Sequence, residues 1–221
     1  MTSPDRRALA RLITSIEAGA PVDKPHIEAT APRIGITGPP GAGKSTLVNE
    51  LIAEVRTRGR TVAVLAVDPS SPITGGALLG DRIRMQEHID DDGVFVRSMA
   101  NRGHLGGLAA GAGEILDLMA GSGFDLVLVE TVGVGQSEVE VMHHVDCVVV
   151  VLAPGWGDQI QADKAGIIEI ADIVVVNKGD QPGVETLERS IRQSRGDEIP
   201  LFVTVATTGE GVGELADHLL T

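Results

Sequence analysis

Gly38-Pro-Pro-Gly-Ala-Gly-Lys44-Ser45 decides the fold, because it matches the spacing G-x-x-x-x-G-K-[ST] in the one context that gives this spacing meaning. The apolar run Ile34-Gly-Ile-Thr37 precedes it and reads as a strand. Thr46-Leu-Val-Asn-Glu-Leu-Ile52 follows it and reads as a helix. Between the two, the chain must turn sharply. Gly38, Gly41 and Gly43 permit backbone angles closed to other residues, so that successive N–H groups around Ala42 can converge on a phosphate. The helix beginning near Thr46 adds its positive dipole end. Lys44 then neutralises β- and γ-phosphate oxygens, and Ser45 reaches a Mg²⁺ ion. A glycine-rich turn without a ligand is the competing interpretation. It is disfavoured because every fixed residue and both flanking elements are present.

Working outward, short apolar runs alternate with helix-period segments. Strands are expected at 33–37, 61–67, 94–97, 124–130, 147–152, 173–176 and 201–205. Helices are expected near 44–57, 106–120, 159–171, 184–194 and 212–220. Leu126-Val-Leu-Val and Val148-Val-Val-Val lack polar alternation, which implies strands buried on both faces, as in a parallel sheet between helices. The pattern predicts a doubly wound, mostly parallel α/β sheet with helices on both faces. Residues 1–30 read as an N-terminal helical extension and linker, with Leu9, Leu12, Ile13 and Ile16 on one helix face and prolines at 21 and 25. Residues 31–221 read as the P-loop domain.

Composition narrows the function. The 221 residues carry Lys+Arg 18 against Asp+Glu 31, a formal net charge of -13, with 2% aromatics. So acidic a chain lacks the basic surface and stacking residues of a general nucleic-acid binder, and no nucleic-acid partner is expected. No apolar run approaches the roughly 18–20 residues of a membrane span, so no membrane partner is expected either. The charged N-terminus does not resemble a signal peptide and the chain has one cysteine, Cys147, which together point to the cytoplasm.

An acidic protein that binds a polyanion needs local compensation by Lys44 and a divalent cation. Candidate carboxylates stand at strand ends: Asp68 closes Val62–Val67, Asp81 follows Gly75-Gly-Ala-Leu-Leu-Gly80, and Glu130 closes Phe124–Val129. Oxygen ligands of this kind suit Mg²⁺. A charge ending a wholly apolar strand is costly without a partner, which favours a functional Glu130. Asp81 reads equally well as a helix N-terminal acid. Glu130-Thr-Val-Gly133 occupies the place where many GTPases carry Asp-x-x-Gly, whose glycine amide senses the γ-phosphate. Asn177-Lys178-Gly179-Asp180 follows the strand Ile173-Val-Val-Val176. Asp180 can accept from guanine N1 and the exocyclic amine, which adenine cannot satisfy. Lys178 can pack along the base, and Asn177 can tie the loop together. The combination points to GTP over ATP, with GTP/GDP and Mg²⁺ as the bound species.

The stretches Gly35–Leu47, Val64–Met85, Arg102–Leu108 and Val129–Glu138 resemble the MeaB/ArgK family, the methylmalonyl-CoA mutase-associated GTPases. Asp68-Pro-Ser-Ser-Pro72 and Glu130-Thr-Val-Gly-Val-Gly-Gln-Ser137 are its most specific blocks. The resemblance implies a GTP-hydrolysing chaperone that gates adenosylcobalamin delivery to a B12-dependent acyl-CoA mutase and protects that enzyme. It assigns the metal to Ser45, Asp68, Asp81 and Glu130, the set also reached from strand ends. It gives Lys164 a catalytic role beside Lys44 and Glu130, swinging to the nucleotide when the mutase docks. Without the resemblance, Lys164 would read as a solvated helix lysine. Arg84 either reaches the phosphates or lies on a solvated face.

Some positions depart from the family pattern. Val205-Ala206-Thr207 replaces the usual Ser-Ala-x, leaving the Ala206 amide to meet the guanine carbonyl. Gly179 stands where alanine is commoner, a change expected to loosen the loop. Family members usually continue into a C-terminal helical arm that builds a homodimer. This chain stops at Thr221, which puts a homodimer by that route in doubt. Three other functions use the same fold. A nickel-insertion GTPase needs soft or imidazole ligands, for which only Cys147 and the neighbouring pair His143-His144 are on offer. A P-loop kinase needs an acceptor pocket and base that no residue supplies. The third is a passive GTP-binding assembly module.

Overall fold

The computed structural model describes residues 5–20, 31–69, 86–88, 90–101, 111–131, 143–155 and 165–221. Among them, seven strands form one sheet: β1 (Arg33–Thr37), β2 (Val62–Pro69), β3 (Val94–Asn101), β4 (Leu126–Thr131), β5 (Cys147–Leu152), β6 (Ile173–Asn177) and β7 (Leu201–Thr204). Their order is β3-β2-β4-β1-β5-β6-β7, and every neighbouring pair is parallel. The described helices are α1 (Arg6–Glu17), α2 (Lys44–Thr57), α3 (Ala112–Ala120), α4 (Ala165–Glu169), α5 (Val184–Arg195) and α6 (Val212–Leu219), with a 3₁₀ turn at Gln86–His88.

Strand alternation sends successive side chains to opposite faces, and two apolar clusters result. One joins Leu65, Val127, Val129, Val150 and Val174 to α1, α3, α4 and α5. The other joins Ile34, Ile36, Leu128, Val149 and Val175 to α2 and α6. This double coverage is why the strands read as unbroken apolar runs. α1 belongs to the first cluster through Leu9, Ile13 and Ile16, and Arg6 donates to the Asp91 carbonyl. Its start is capped by Asp5, whose carboxylate accepts from the Arg7 and Ala8 N–H groups.

The observed elements differ from expectation mainly at their ends. β3 runs on to Asn101 because β2 continues to pair with it, through Pro69↔Asn101. β4 begins at Leu126 because Asp125 is spent differently, its carboxylate accepting from the Thr61 N–H and hydroxyl. α3 and α4 are described only over Ala112–Ala120 and Ala165–Glu169; the earlier parts of the two expected helices lie outside the described residues. His143 and His144 are exposed and lie in a turn before β5. No described helix is long and apolar enough to cross a membrane.

The chain walks from β1 outward to β2 and β3, returns to β4, and then runs to β5, β6 and β7 on the other side. β1 is therefore flanked by β4 and β5, and ligands of doubly wound sheets bind beyond the strand ends at such a reversal. The loop after β1 lies there.

Candidate functional site

The turn from β1 into α2 is forced by close backbone contact. Gly38 has φ 144, and a Cβ there would lie 2.1 Å from the Val151 carbonyl oxygen of β5. Only glycine lets the loop leave the sheet at that point. Gly41 and Gly43 also take positive φ, 77 and 92, and Ala42 N–H donates to the Pro39 carbonyl. α2 then starts at Lys44 with Gly43 as its cap residue and no side-chain cap. An α-helix leaves its first-turn N–H groups without intrahelical acceptors, and here those belong to Lys44, Ser45 and Thr46. Lys44 is 6% exposed, and its ammonium donates to the Gly38 and Pro39 carbonyls at 2.7 and 3.1 Å. The cation is thus folded back over its own loop.

Glu130 is the penultimate residue of β4, opposite Ile36 of β1 and Ala66 of β2, and is 1% exposed. The Ser45 hydroxyl donates to Glu130 Oε1 at 2.6 Å, joining two of the expected metal ligands in a buried oxygen pair. Asp68 is the penultimate residue of β2, two register steps beyond Ala66. The buried Ser45–Glu130 oxygen pair is of the hard-donor type that suits a cation such as Mg²⁺. Asp81, Arg84, Gly133 and Lys164 lie outside the described residues.

Asn177 ends β6 and is 2% exposed. Its Nδ2 donates to the Ala42 carbonyl at 2.9 Å, and its Oδ1 accepts from Ala206 N–H at 3.1 Å. A single amide therefore spans the phosphate loop and the segment after β7. The approach is tight, since a Cβ on Gly43 would lie 2.3 Å from Nδ2. Lys178 has φ 60, the one positive value among described non-glycine residues. This turns the chain so that Asp180 is exposed at the loop's end. Gly179 behaves differently from expectation. Its N–H donates to the Thr204 carbonyl at 2.9 Å, and a Cβ there would lie 2.7 Å from Val203 Cγ1. The loop is pinned, with Val203 filling the space an alanine would need. The tether from Thr204 was not visible in sequence, although a hydroxyl ending the apolar run Leu201-Phe-Val was a signal.

These contacts bring Gly38, Gly41, Ala42, Gly43, Lys44, Ser45, Glu130, Asn177 and Ala206 to one end of the sheet. A family model for the methylmalonyl-CoA mutase-associated GTPase MeaB matches residues 9–221. The chain belongs to that family. It is a GTPase, and its relatives agree. A Pyrococcus horikoshii protein named as a GTPase is 50% identical over 231 residues, covering 97% of this chain and 73% of that protein. The GTPase ArgK of Escherichia coli is 42% identical, covering 80% of this chain and 56% of ArgK. The mitochondrial methylmalonic aciduria type A homolog of Mus musculus is 41% identical, covering 85% and 48%. Among solved structures, a LAO/AO transport system kinase gives a TM-score of 0.68 at 27% identity, covering 99% of this chain and 70% of that one. The hydrogenase maturation factor HypB of Archaeoglobus fulgidus gives 0.65 at 19% identity, covering 98% and 99%, which shows a shared P-loop fold alone. In this MeaB-family chain Cys147 opens β5 half-buried. Burial, aided by Asp172 and Asp146, pushes its thiol up to about 11, which disfavours the thiolate a soft metal would require.

Proposed function

We propose that this GTPase hydrolyses GTP with Mg²⁺ as the timing step of a cytoplasmic chaperone, gating adenosylcobalamin loading onto a B12-dependent acyl-CoA mutase and protecting that enzyme. The observation that carries the nucleotide half is the Asn177 amide bridging the Ala42 carbonyl and the Ala206 N–H, which joins a phosphate cradle to a base-reading loop. Family membership supports the mutase as partner.

In this reading the reaction transfers the γ-phosphoryl group of GTP to water, giving GDP and phosphate. Most of the protein's work is positioning and charge stabilisation. The first-turn N–H groups of α2 with those of Gly41 and Gly43 receive the β-phosphate. Lys44 exchanges its bonds to the Gly38 and Pro39 carbonyls for phosphate oxygens, so it is held near its target beforehand. Ser45, Glu130, Asp68 and Asp81 would hold Mg²⁺, which when bound neutralises charge on the β- and γ-oxygens. Asp180 accepts from the guanine N1 and amine protons, Lys178 packs along the base, and the Ala206 N–H, which donates to Asn177 Oδ1 here, would share its proton with the guanine carbonyl. Gly133 and Arg84 would meet the γ-phosphate. Lys164 completes the site when the mutase docks.

Single-turnover GTP hydrolysis with and without an apo-mutase, followed alongside cobalamin transfer by absorbance, tests this directly. The expected result is a rate that rises with the mutase and cobalamin transfer that fails in Lys44→Ala. Equal rates in both arms, with transfer indifferent to nucleotide, would refute it. Asp180→Asn should move preference from GTP to xanthosine triphosphate, and an unchanged preference would remove the base assignment.

A further inference from the structure

We infer that Thr37 and Thr131 are positioning residues for GTP, a pair of buried hydroxyls that links the root of the phosphate loop to the end of β4 when the γ-phosphate and its metal are bound. The inference rests on the phosphate and metal assignments above and concerns two residues to which those assignments give no role.

β1 ends at Thr37 and β4 at Thr131. Alternation turns both side chains to the face covered by α1, α3, α4 and α5, since Val127 and Val129 point there while Ile34 and Ile36 point the other way. Thr131 pairs with Val67 of β2, and Thr37 pairs with Val150 of β5. The face therefore carries a row Val67, Thr131, Thr37, Val150, all buried and Thr131 completely so. Two hydroxyls occupy the middle of a row whose outer members are valines of the same branched shape. The Thr131 hydroxyl has no hydrogen-bond partner among the described residues. Burying it in that way is unfavourable, and valine would remove the cost while keeping the shape.

The hydroxyl gains a partner when the two strand ends close on each other. The β1–β4 ladder stops at Ile36↔Glu130, one step short of the threonines, while Thr131 stays paired to β2 and Thr37 to β5. Neighbouring strands lie about 4.8 Å apart, so pairing of that last step brings the two hydroxyls within reach of one hydrogen bond. The residues on either side tie this closure to the nucleotide. Thr37 precedes Gly38, which lies against the Val151 carbonyl and opens the loop that receives phosphate. Thr131 follows Glu130, whose Oε1 accepts from Ser45 at 2.6 Å. With the metal and the γ-phosphate bound, the ends of β4 and β1 are drawn toward one point. Thr131 then donates to Thr37 Oγ1, and the new bond adds to the affinity for the ligand that closed it. GDP lacks the γ-phosphate and draws the two ends together less.

The test compares Thr131→Val, Thr37→Val, the double variant, and Thr131→Ser, which keeps the hydroxyl. Dissociation constants for GDP and for a non-hydrolysable GTP analogue are measured with Mg²⁺ by titration calorimetry, and melting is followed without nucleotide. Thr131→Val should melt about 2–6 °C above the wild type. It should bind the GTP analogue about three- to tenfold more weakly, the worth of one buried neutral hydrogen bond, with GDP changed by less than about twofold. Thr37→Val should weaken the analogue by a comparable factor, and the double variant should lose no more than either single one. Thr131→Ser should bind as the wild type does. A Thr131→Val protein that melts below the wild type overturns the inference. So do equal losses for the analogue and GDP, or losses that add in the double variant. If Thr37→Val does not fold, Thr131→Val against Thr131→Ser decides through the ratio of the two affinities. Lys44→Ala run in parallel separates the two readings. If it still binds the analogue, the phosphate assignment fails and the inference with it, whereas abolished binding beside a silent Thr131→Val removes only the hydroxyl pair.

Discussion

Two glycines of the same loop, Gly38 and Gly41, should respond very differently to alanine, and the difference follows from what lies beside each. Both have positive φ, 144 and 77, and an L-residue held in such a conformation costs on the order of 1–3 kcal/mol. At Gly41 nothing lies within 4 Å of a built Cβ, so the conformational term is the whole cost. At Gly38 the Cβ would sit 2.1 Å from the Val151 carbonyl oxygen, where a carbon–oxygen contact normally needs about 3.3–3.6 Å. Val151 pairs with Val175 in the middle of the sheet, so its carbonyl cannot retreat without breaking the ladder. The loop must move by about 1.2 Å instead, and overpacking of this kind adds about 1–3 kcal/mol. For a domain of this size each kcal/mol is worth about 2–4 °C. Thermal unfolding followed by circular dichroism without nucleotide should therefore show Gly41→Ala melting about 2–12 °C below the wild type. Gly38→Ala should melt about 2–12 °C lower still. Two variants melting within about 1 °C of each other would refute the claim that the contact with β5, and not φ alone, demands glycine at 38.

Gly179→Ala should destabilise the protein by about 1–2 kcal/mol, because its Cβ meets Val203 Cγ1 at 2.7 Å; denaturant unfolding should show most of the loss recovered in the Gly179→Ala/Val203→Ala double variant. The Asp91 carboxylate is held below the usual range chiefly by its hydrogen bond from Arg56, helped by the Gly93 N–H. A depressed folded-state value stabilises above the unfolded pKa near 4 and is lost as pH falls through the folded value. Asp91→Asn should thus cost about 1 kcal/mol at pH 7, discounted for its 31% exposed side chain, and nothing at the acid end of a stability–pH series. Cys147, its thiol pushed up to about 11 by burial, should resist iodoacetamide at pH 7.5 in the native state and react within minutes once unfolded.

Much of this molecule was legible in the chain. The unbroken apolar runs gave the strands and their burial on both faces, since residues with no polar side must be covered twice. Gly38 to Ser45 fixed the phosphate loop because its spacing is a local backbone requirement, satisfied within one turn of chain. Asn177 was readable as a loop tie because it belongs to a motif. The fold's register was not readable. It places Glu130 beside Ala66 and within 2.6 Å of Ser45, and it sets Thr204 against Asn177. The expectation of a looser loop at Gly179 failed for the same reason: its neighbour, Val203, is distant in sequence. Local conformational limits and hydrophobic periodicity are written residue by residue, so the sequence alone determined the elements, the layers and the phosphate loop. Contacts across strands depend on which strand ends meet, so the tertiary structure alone decided how the two nucleotide loops are joined, through one buried amide at the end of β6.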